Sequence, residues 1–113
     1  MISIYHNPRC GKSRECVAFM EASGEIYEII KYLEAPFNHK SLSELLQKLN
    51  IEPIELIRKK EKIWMEQFKN KPLNNDTLIE VMVQNPILIE RPIAVNGDKA
   101  VIARPLERIN TIL

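Results

Sequence analysis

The stretch that decides the fold is residues 1–31, which read MISIYHNPRCGKSRECVAFMEASGEIYEIIK. Residues 2–5 and 25–31 are rich in β-branched and aromatic residues and predict two strands. From Ser13 onward, apolar residues recur at helical spacing until Ser23-Gly24, where a helix is expected to end. These apolar residues are Cys16, Phe19 and Met20. Strand, helix and strand joined by short links predict a right-handed βαβ unit with parallel strands.

Residues 37–85 differ in character and predict a helical block inserted after the βαβ unit. The apolar residues of its first helix recur at i, i+3, i+4 and i+7; they are Leu42, Leu45, Leu46 and Leu49. A short helix is predicted from Pro53, and a third helix from residues 74–76 to Asn85-Pro86. Residues 61–72 form the irregular part of the block.

The last part of the chain predicts a return to sheet. Two apolar runs, residues 93–95 and 100–103, flank Asn96-Gly97, which favours a hairpin with a type I′ turn. Pro105 predicts the start of a final helix. The predicted order is βαβ, helical insert, ββα, within a single domain over residues 1–113. This is an α/β fold with a mixed sheet, the thioredoxin-like arrangement.

Composition limits the classes of function. The formal net charge of +1 is too small for the broad basic face that nucleic-acid binding needs, so an anionic ligand is expected to be small. Residues 1–6 have no signal-peptide pattern, and no apolar run is long enough to span a membrane. Two histidines and two cysteines without ligand spacing predict no metal site. We expect a cytoplasmic monomer with free thiols.

Cys10 is the first candidate for chemistry. It lies between the first predicted strand and helix, where backbone amides and the helix dipole lower the pKa of a thiol. Arg9, Lys12 and Arg14 add positive charge nearby. An isolated cysteine is often a small buried hydrophobe, but this position favours a nucleophile. His6 either orients or protonates the chemistry or is a capped polar residue at a strand end.

Cys16 is expected to be a core residue because it lies in the apolar stripe of the first helix. Six helical residues separate the Cα atoms of Cys10 and Cys16 by about 9 Å along the helix axis, beyond the roughly 7 Å that a disulfide bridges. Ser13 stands where a C-x-x-C motif would have its second cysteine, which excludes the dithiol mechanism. If Cys10 does redox work, its partner thiol must come from another molecule.

Arg91 interrupts the apolar run of residues 87–93, and a buried guanidinium is costly unless it is paired or binds an anion. A pair with Glu90 is disfavoured because adjacent residues of an extended chain point to opposite sides. Arg104 similarly ends an apolar strand. Arg58 lies in a cluster of basic residues, which by spacing alone indicates a solvated helix end.

Five separated motifs resemble those of the glutaredoxin-coupled ArsC arsenate reductases. They are HNPRCGKSR (6–14), YLE (32–34), LIRK (56–59), NPILIERPI (85–93) and RP (104–105). The motifs occur in order over nearly the whole chain, which is far more specific than any single motif. The resemblance implies a thioredoxin-like fold with a helical insert.

The resemblance also implies roles for individual residues. Cys10 matches the nucleophilic cysteine of the family, and His6 matches the histidine close to it. The oxyanion-binding arginines of the family match Arg58, Arg91 and Arg104. The implied reaction reduces arsenate to arsenite with glutathione as cosubstrate, glutaredoxin as partner and no bound cofactor. The Arg91-Pro92 bond is expected to be cis.

Two related functions remain open at this level. Spx-type regulators of the same fold family bind RNA polymerase and sense oxidation through a C-x-x-C pair, which Ser13 removes here. Short glutathione-dependent thiol reductases of the same fold family act on substrates other than arsenate.

Overall fold

A computed structural model describes residues 1–113, and its four strands form one mixed sheet. The strands are β1 (Ile2–Tyr5), β2 (Tyr27–Ile30), β3 (Ile93–Asn96) and β4 (Lys99–Ile102). Their order across the sheet is β2-β1-β3-β4. β1 pairs in parallel with β2 and antiparallel with β3, and β3 pairs antiparallel with β4. The predicted parallel βαβ unit and the predicted mixed sheet are confirmed.

The chain divides into two compact units. The first comprises Met1–Ala35 and Arg91–Leu113 and contains the whole sheet, whereas the second, Pro36–Glu90, is helical. The second unit contains the helices that the sequence predicts for residues 37–85. That the chain folds as one domain stays a prediction. None of its helices has the length and apolar character that crossing a bilayer requires.

Helix α1 spans Gly11–Ser23 and begins two residues before the predicted start at Ser13. Cys10 is its N-cap residue, with φ of −95° and ψ of 122°. Gly24 follows the helix with a left-handed φ of 78°, a conformation that glycine adopts without steric cost, so the helix ends where it is predicted to end. The early start places the Cys10 thiol at the first turn of the helix.

The core of the first unit lies against one face of β1. Ile2 and Ile4 are 3% and 0% exposed, whereas the alternate residues Ser3 and Tyr5 are partly exposed. The two isoleucines belong to a cluster with residues of α1, of the sheet and of the chain end. The other members are Cys16, Met20, Ala94, Ala103, Ile109 and Ile112. Cys16 is therefore a core residue, as its place in the apolar stripe predicts.

Strand β2 is shorter than the predicted residues 25–31, because only four residues pair with β1. It lies at the edge of the sheet. Ile26 and Ile29 remain 76% and 41% exposed. The apolar run indicated β propensity correctly, but propensity does not determine whether a strand is central or at an edge.

The predicted hairpin is confirmed, but its predicted turn is wrong. Asn96 pairs with Lys99, so the two loop residues are Gly97 and Asp98 rather than Asn96 and Gly97. Gly97 has a positive φ of 65°, and Asp98 does not have a positive φ. A positive φ at the first loop position alone is a feature of type II′ turns, not type I′ turns. Because Asn96 belongs to β3 and not to the loop, Gly97 becomes the first loop residue, the position at which the positive φ is required.

In the second unit, helix α2 spans His39–Leu49 and begins with a capping box. The Ser41 amide donates to the Asn38 side-chain oxygen at 2.8 Å, and the Asn38 amide donates to the Ser41 hydroxyl at 3.0 Å. Asn50 ends the helix with a left-handed φ of 56°. The buried leucines of this helix are Leu42, Leu45 and Leu46.

Helix α3 spans Asn75–Gln84 and begins and ends where predicted. Asn74 caps it by accepting a hydrogen bond from the Thr77 amide at 2.8 Å. Asn85-Pro86 ends it, because proline lacks the amide hydrogen that would continue the helix.

Four shorter segments have tighter or wider turns than an α-helix, one of them the 3-10 helix Pro86–Leu88 that follows α3. The short helix predicted from Pro53 is the 3-10 helix Pro53–Leu56, and the predicted irregular residues 61–72 contain one π-helical turn, Trp64–Phe68. The final helix is a 3-10 helix over Leu106–Thr111, not an α-helix. Its hydrogen bonds run from i to i+3, as in the Arg108 amide to the Pro105 carbonyl and the Ile112 amide to the Ile109 carbonyl, each at 3.1 Å.

We expect Asn38→Ala to lower the free energy of unfolding by about 1 kcal/mol, because it removes the side-chain oxygen of the α2 capping box. Urea denaturation followed by far-ultraviolet circular dichroism measures the loss. Asn110→Ala, at an exposed position of the last 3-10 helix, is the matched control and should have no effect. Equal stability of both variants and the wild type would contradict a capping role for Asn38.

Candidate active site

The topology of the sheet brings Cys10, Arg91 and Arg104 to the same end of the strands. Tyr5, at the end of β1, pairs with Ile93, at the start of β3, because these strands are antiparallel. Cys10 follows β1 in sequence, and Arg91 precedes β3. Arg104 follows β4, which ends at the same edge because β4 is antiparallel to β3. Residues far apart in sequence therefore meet at Cys10.

The loop before α1 is held by Asn7, whose side chain is buried. The Asn7 side-chain oxygen accepts from the Arg9 amide at 3.0 Å, and its backbone carbonyl accepts from the Cys10 amide at 3.0 Å. The Cys10 carbonyl accepts the first helical hydrogen bond, from the Arg14 amide at 3.0 Å. The Cys10 sulfur therefore lies at the first turn of the helix, facing the backbone amide of Ser13.

The Cys10 thiol has a pKa suited to a nucleophile. Partial burial raises this pKa, but three groups outweigh burial: a hydrogen bond from the Ser13 backbone amide, and the guanidinium groups of Arg91 and Arg104. The net effect lowers the pKa from 9.0 to about 7. A large fraction of Cys10 is therefore thiolate at neutral pH, and thiolate is the reactive form.

Arg104 connects the thiol to the other arginine. Its Nη1 atom lies 3.9 Å from the Cys10 sulfur and donates to the Arg91 carbonyl oxygen at 3.1 Å. Arg91 is 7% exposed and is itself a hydrogen-bond donor to the Cys10 sulfur. Both arginines precede a cis proline, Pro92 and Pro105, and the cis bond expected at Pro92 is confirmed.

The sequence predicts that Arg9, Lys12 and Arg14 supply the positive charge near the thiol, but the arginines that lower its pKa most are others. The Arg14 guanidinium donates to the Pro8 carbonyl at 3.0 Å, and the exposed Lys12 pairs with Glu15 at 3.9 Å. The arginines that lower the pKa of Cys10 are Arg91 and Arg104, which only the sheet topology brings close. The predicted position of Cys10 at the start of the first helix is correct, since Cys10 is the N-cap residue of α1.

His6 is buried and contacts Ser13 rather than solvent. Its Nδ1 atom lies 2.6 Å from the Ser13 hydroxyl, which also accepts from the Asn7 amide at 3.0 Å. Assigning the Ser13 hydroxyl as the donor to Nδ1 leaves the imidazole proton on Nε2. Burial, followed by the charges of Lys31 and Arg14, lowers the pKa of His6 from 6.5, so the ring is neutral at pH 7.

Ser13 is the site residue that sequence reasoning missed. The sequence indicated only that Ser13 replaces a second cysteine, yet its amide hydrogen-bonds the Cys10 thiol and its hydroxyl holds His6. The side chain is 0% exposed. A serine in the first turn of a helix, three residues after the cysteine, was a detectable signal because amides there point at the N-cap side chain.

Cys16 has the opposite environment to Cys10. Its side chain is 0% exposed, and burial raises the pKa of its thiol to about 11. Both cysteines are free. Of the two thiols, Cys10 is therefore the one whose environment suits a nucleophile, and Cys16 is a core residue.

Arg58 belongs to the helical unit and is not the solvated side chain that its spacing indicated. It is 18% exposed, and its Nε atom lies 3.3 Å from a Glu61 oxygen, while Nη1 lies 4.0 Å from a Glu90 oxygen. Its backbone amide donates to the Leu88 carbonyl at 2.7 Å, and Ile57 forms a β-bridge with Ile89. These backbone contacts fix two chain segments against each other and place Glu90 beside Arg58.

Metal chemistry has no evident site in residues 1–113. No group of three or more His, Cys, Asp or Glu side chains lies close enough to hold an ion. The chemistry available to this arrangement is that of one thiolate faced by two guanidinium groups.

The comparison with known proteins agrees with this geometry. A family model described as the ArsC family matches residues 5–112. The chain belongs to the ArsC family. It is 41% identical to the uncharacterized protein YfgD of Escherichia coli K12, over 99% of this chain and 96% of that protein. It is 37% identical to an arsenate reductase of Neisseria meningitidis serogroup A, over 99% and 97% of the two chains.

A solved structure of an arsenate reductase from Vibrio cholerae matches this ArsC-family chain with a TM-score of 0.94 and 39% identity. The match covers 99% of this chain and 97% of that one. The predicted resemblance and the predicted thioredoxin-like fold are thereby confirmed. The individual roles of His6, Cys10 and the three arginines stay predictions.

We expect the alkylation rate of Cys10 by iodoacetamide to rise with pH around a midpoint near 7, because only the thiolate reacts. Mass spectrometry of the alkylated peptides separates Cys10 from Cys16, which should not react in the folded protein. Arg104→Ala should move the Cys10 midpoint to higher pH, since it removes a positive charge and a hydrogen bond from the sulfur.

The matched control is Arg14→Ala, which removes an arginine next to Cys10 in sequence that bonds the Pro8 carbonyl. It should leave the midpoint much less changed than Arg104→Ala does. Equal shifts of the alkylation midpoint in the two variants would show that Arg104 has no special role at the Cys10 thiol. Equal, slow reactivity of the two cysteines in the wild type would contradict an activated Cys10.

Proposed function

We propose that this ArsC-family protein reduces arsenate to arsenite through a single nucleophilic cysteine, Cys10, with glutathione as cosubstrate and glutaredoxin as the regenerating partner. The observation that carries the proposal is the contact of Arg104 with the Cys10 sulfur at 3.9 Å, beside the buried Arg91. Relatives of similar length that are 37% and 38% identical are named arsenate reductase. A thiolate beside fixed cations suits attack on a small oxyanion.

The arginines would bind and orient the substrate. Guanidinium groups donate charge-assisted hydrogen bonds to oxyanions and neutralise the charge that would otherwise repel a thiolate. Arg104 contacts a sulfur atom and a carbonyl oxygen but no carboxylate, so its positive charge is not cancelled by an acidic partner. Arg58 is the proposed third arginine, on the resemblance of residues 56–59 to the family motif.

The proposed reaction begins with attack of the Cys10 thiolate on arsenic(V), which forms a sulfur–arsenic bond as one oxygen leaves as water. Glutathione then supplies the second thiol. The two sulfur atoms together lose two electrons as arsenic(V) becomes arsenic(III), arsenite leaves, and a disulfide joins Cys10 to glutathione. Glutaredoxin reduces this mixed disulfide by thiol exchange and frees Cys10.

An external second thiol fits the chain. Cys16 is fully buried in the core, and its pKa of about 11 keeps it protonated. Ser13 occupies the position at which a C-x-x-C enzyme has its resolving cysteine. A thiol from glutathione therefore supplies what this chain lacks.

His6 acts in this proposal as a positioning residue. It is neutral at pH 7 and bonds Ser13, whose amide faces the Cys10 thiol. The His6 ring therefore fixes the first turn of α1 and, through it, the donor that stabilises the thiolate. Proton donation from His6 is not needed for attack by a thiol that is already ionised.

A glutathione-dependent thiol reductase with a different substrate is the second candidate. It stays a candidate because the relative at 41% identity is named as an uncharacterized protein and so does not point to arsenate. The Cys10 site would be used in the same way, and the substrate alone would differ. An Spx-like regulator is disfavoured, because Ser13 removes the oxidation-sensing pair.

We expect arsenate-dependent oxidation of NADPH in an assay with glutathione, glutaredoxin and glutathione reductase. Cys10→Ser should reduce the rate to the background without protein, because no other accessible thiol can form the sulfur–arsenic bond. Cys16→Ala should retain turnover. Arsenate turnover by Cys10→Ser, or none by the wild type, would reject the proposal, and turnover of a glutathione mixed disulfide alone would support the second candidate.

We expect Arg104→Ala to raise the KM for arsenate by about tenfold to a hundredfold, since a hydrogen bond to a charged group contributes roughly 1.5–3 kcal/mol. Steady-state kinetics at a pH where Cys10 is fully ionised in both proteins separates anion binding from the change in thiol pKa. Arg108→Ala, at an exposed position of the last 3-10 helix, is the control. An unchanged KM in Arg104→Ala would exclude Arg104 from substrate binding.

A further inference from the structure

The helical unit contains a cleft of about 650 Å³ whose lining residues all lie between Ile54 and Leu78. The volume is typical of sites that enclose a small organic molecule. The proposed reduction of arsenate uses none of the lining residues. The cleft is therefore a feature of the fold that the thiol chemistry does not explain.

The polar lining residues of this cleft are Asn75 and three lysines, Lys59, Lys69 and Lys71. No acidic side chain is among the lining residues. The three lysines are exposed and form no ion pair, whereas Lys62, which does not line the cleft, pairs with Glu66. Three like charges around one cavity repel one another, and an anion between them would remove that repulsion.

The cleft is also lined by apolar residues. Among them Met65 is 50% exposed, Leu73 is partly exposed and Trp64 is buried. An exposed methionine beside an aromatic ring adapts its shape to apolar ligands at little cost. A purely inorganic anion would leave this surface in water, so the lining favours a ligand with an apolar body as well as a negative charge.

The backbone between Trp64 and Lys69 brings a lysine and an apolar residue of the cleft lining close to each other. The Lys69 amide donates to the Trp64 carbonyl at 2.9 Å and closes a single π-helical turn, an uncommon element that often lies at binding sites. Lys71 Nζ lies 5.7 Å from the centre of the Phe68 ring, a cation–π contact. The π-helical turn thus brings Lys69 and Trp64, which both line the cleft, one turn apart.

We propose that this cleft binds an anionic amphiphile, namely a small molecule with one carboxylate group on an aliphatic chain of medium length. The carboxylate would lie among Lys59, Lys69 and Lys71, and the chain would cover Met65 and Leu73. The proposal depends on neither Cys10 nor the proposed reduction of arsenate. It assigns a second ligand site, in the helical unit, to this protein.

The test uses the full chain, and its probe is decanoate below the concentration at which it forms micelles. Trp64 is the only tryptophan of the chain, so its fluorescence reports on the cleft. We expect a saturable change with decanoate, at least tenfold weaker binding of acetate, which lacks the chain, and at least tenfold weaker binding of decanol, which lacks the charge. Titration calorimetry gives the stoichiometry, with one site expected.

The decisive variant replaces Lys59, Lys69 and Lys71 together by glutamine, and the matched control replaces Lys40, Lys48 and Lys60, which are exposed and do not line the cleft. Both carry the same change in net charge. We expect about tenfold weaker decanoate binding in the cleft variant and unchanged binding in the control. Both sets are exposed lysines, so both proteins should fold.

Three outcomes would overturn the proposal. One is the absence of a saturable response to decanoate. Another is equal affinity for decanol and decanoate, which would show that the lysines play no part. The third is equal weakening in the two triple variants, which would indicate a general effect of net charge. Binding of an acidic peptide but not of decanoate would identify the cleft as a protein-docking site and reject the small-molecule ligand.

Discussion

The antiparallel pairing of β1 with β3 is the constraint on which the thiol site depends. It aligns Tyr5 with Ile93, so the loop that carries Cys10 and the segment that carries Arg91 leave the sheet at the same edge. A shift of one residue in this register would turn the alternate faces of β1 over and expose Ile2 and Ile4. Because these two isoleucines lie in the core, the packing that stabilises the first unit also fixes the geometry of the site.

The reactivity of Cys10 is the balance of opposing effects. Burial alone raises the pKa of a thiol, as the core residue Cys16 shows. At Cys10 the same effect is outweighed by the Ser13 amide and by the guanidinium groups of Arg91, which precedes β3, and Arg104, which follows β4. Two cysteines six residues apart therefore have pKa values of about 7 and about 11.

Local patterns predicted the elements well but not the partners across the sheet. The βαβ unit, the hairpin and Cys10 at the start of a helix could be inferred from the spacing of apolar residues and from the glycines, prolines and asparagines that end each element. The basic residues beside Cys10 were the natural candidates for its charge partners, yet Arg14 bonds the Pro8 carbonyl. Arg91 was recognisable as an anomaly because it interrupts an apolar run, whereas its closeness to Cys10 depends on long-range pairing that no short window contains.

Arg58 shows how a local pattern and a resemblance can point in different directions. The cluster of basic residues indicated a solvated side chain, and the family motif indicated an oxyanion ligand. The structure gives it two carboxylate neighbours, Glu61 and Glu90, at 3.3 Å and 4.0 Å. Two acidic partners offset more than one positive charge, so Arg58 would add little net attraction for an anion.

What Arg58 can supply to an anion is a set of N–H donors with a fixed orientation. A guanidinium has five N–H donors in a fixed plane, and the carboxylates of Glu61 and Glu90 hold that plane in one orientation. Arg104, which has no carboxylate partner, keeps its full charge near the thiolate. In the proposed reaction the arginines would therefore not be equivalent: Arg104 would supply charge, and Arg58 would supply pre-oriented donors whose charge is already compensated.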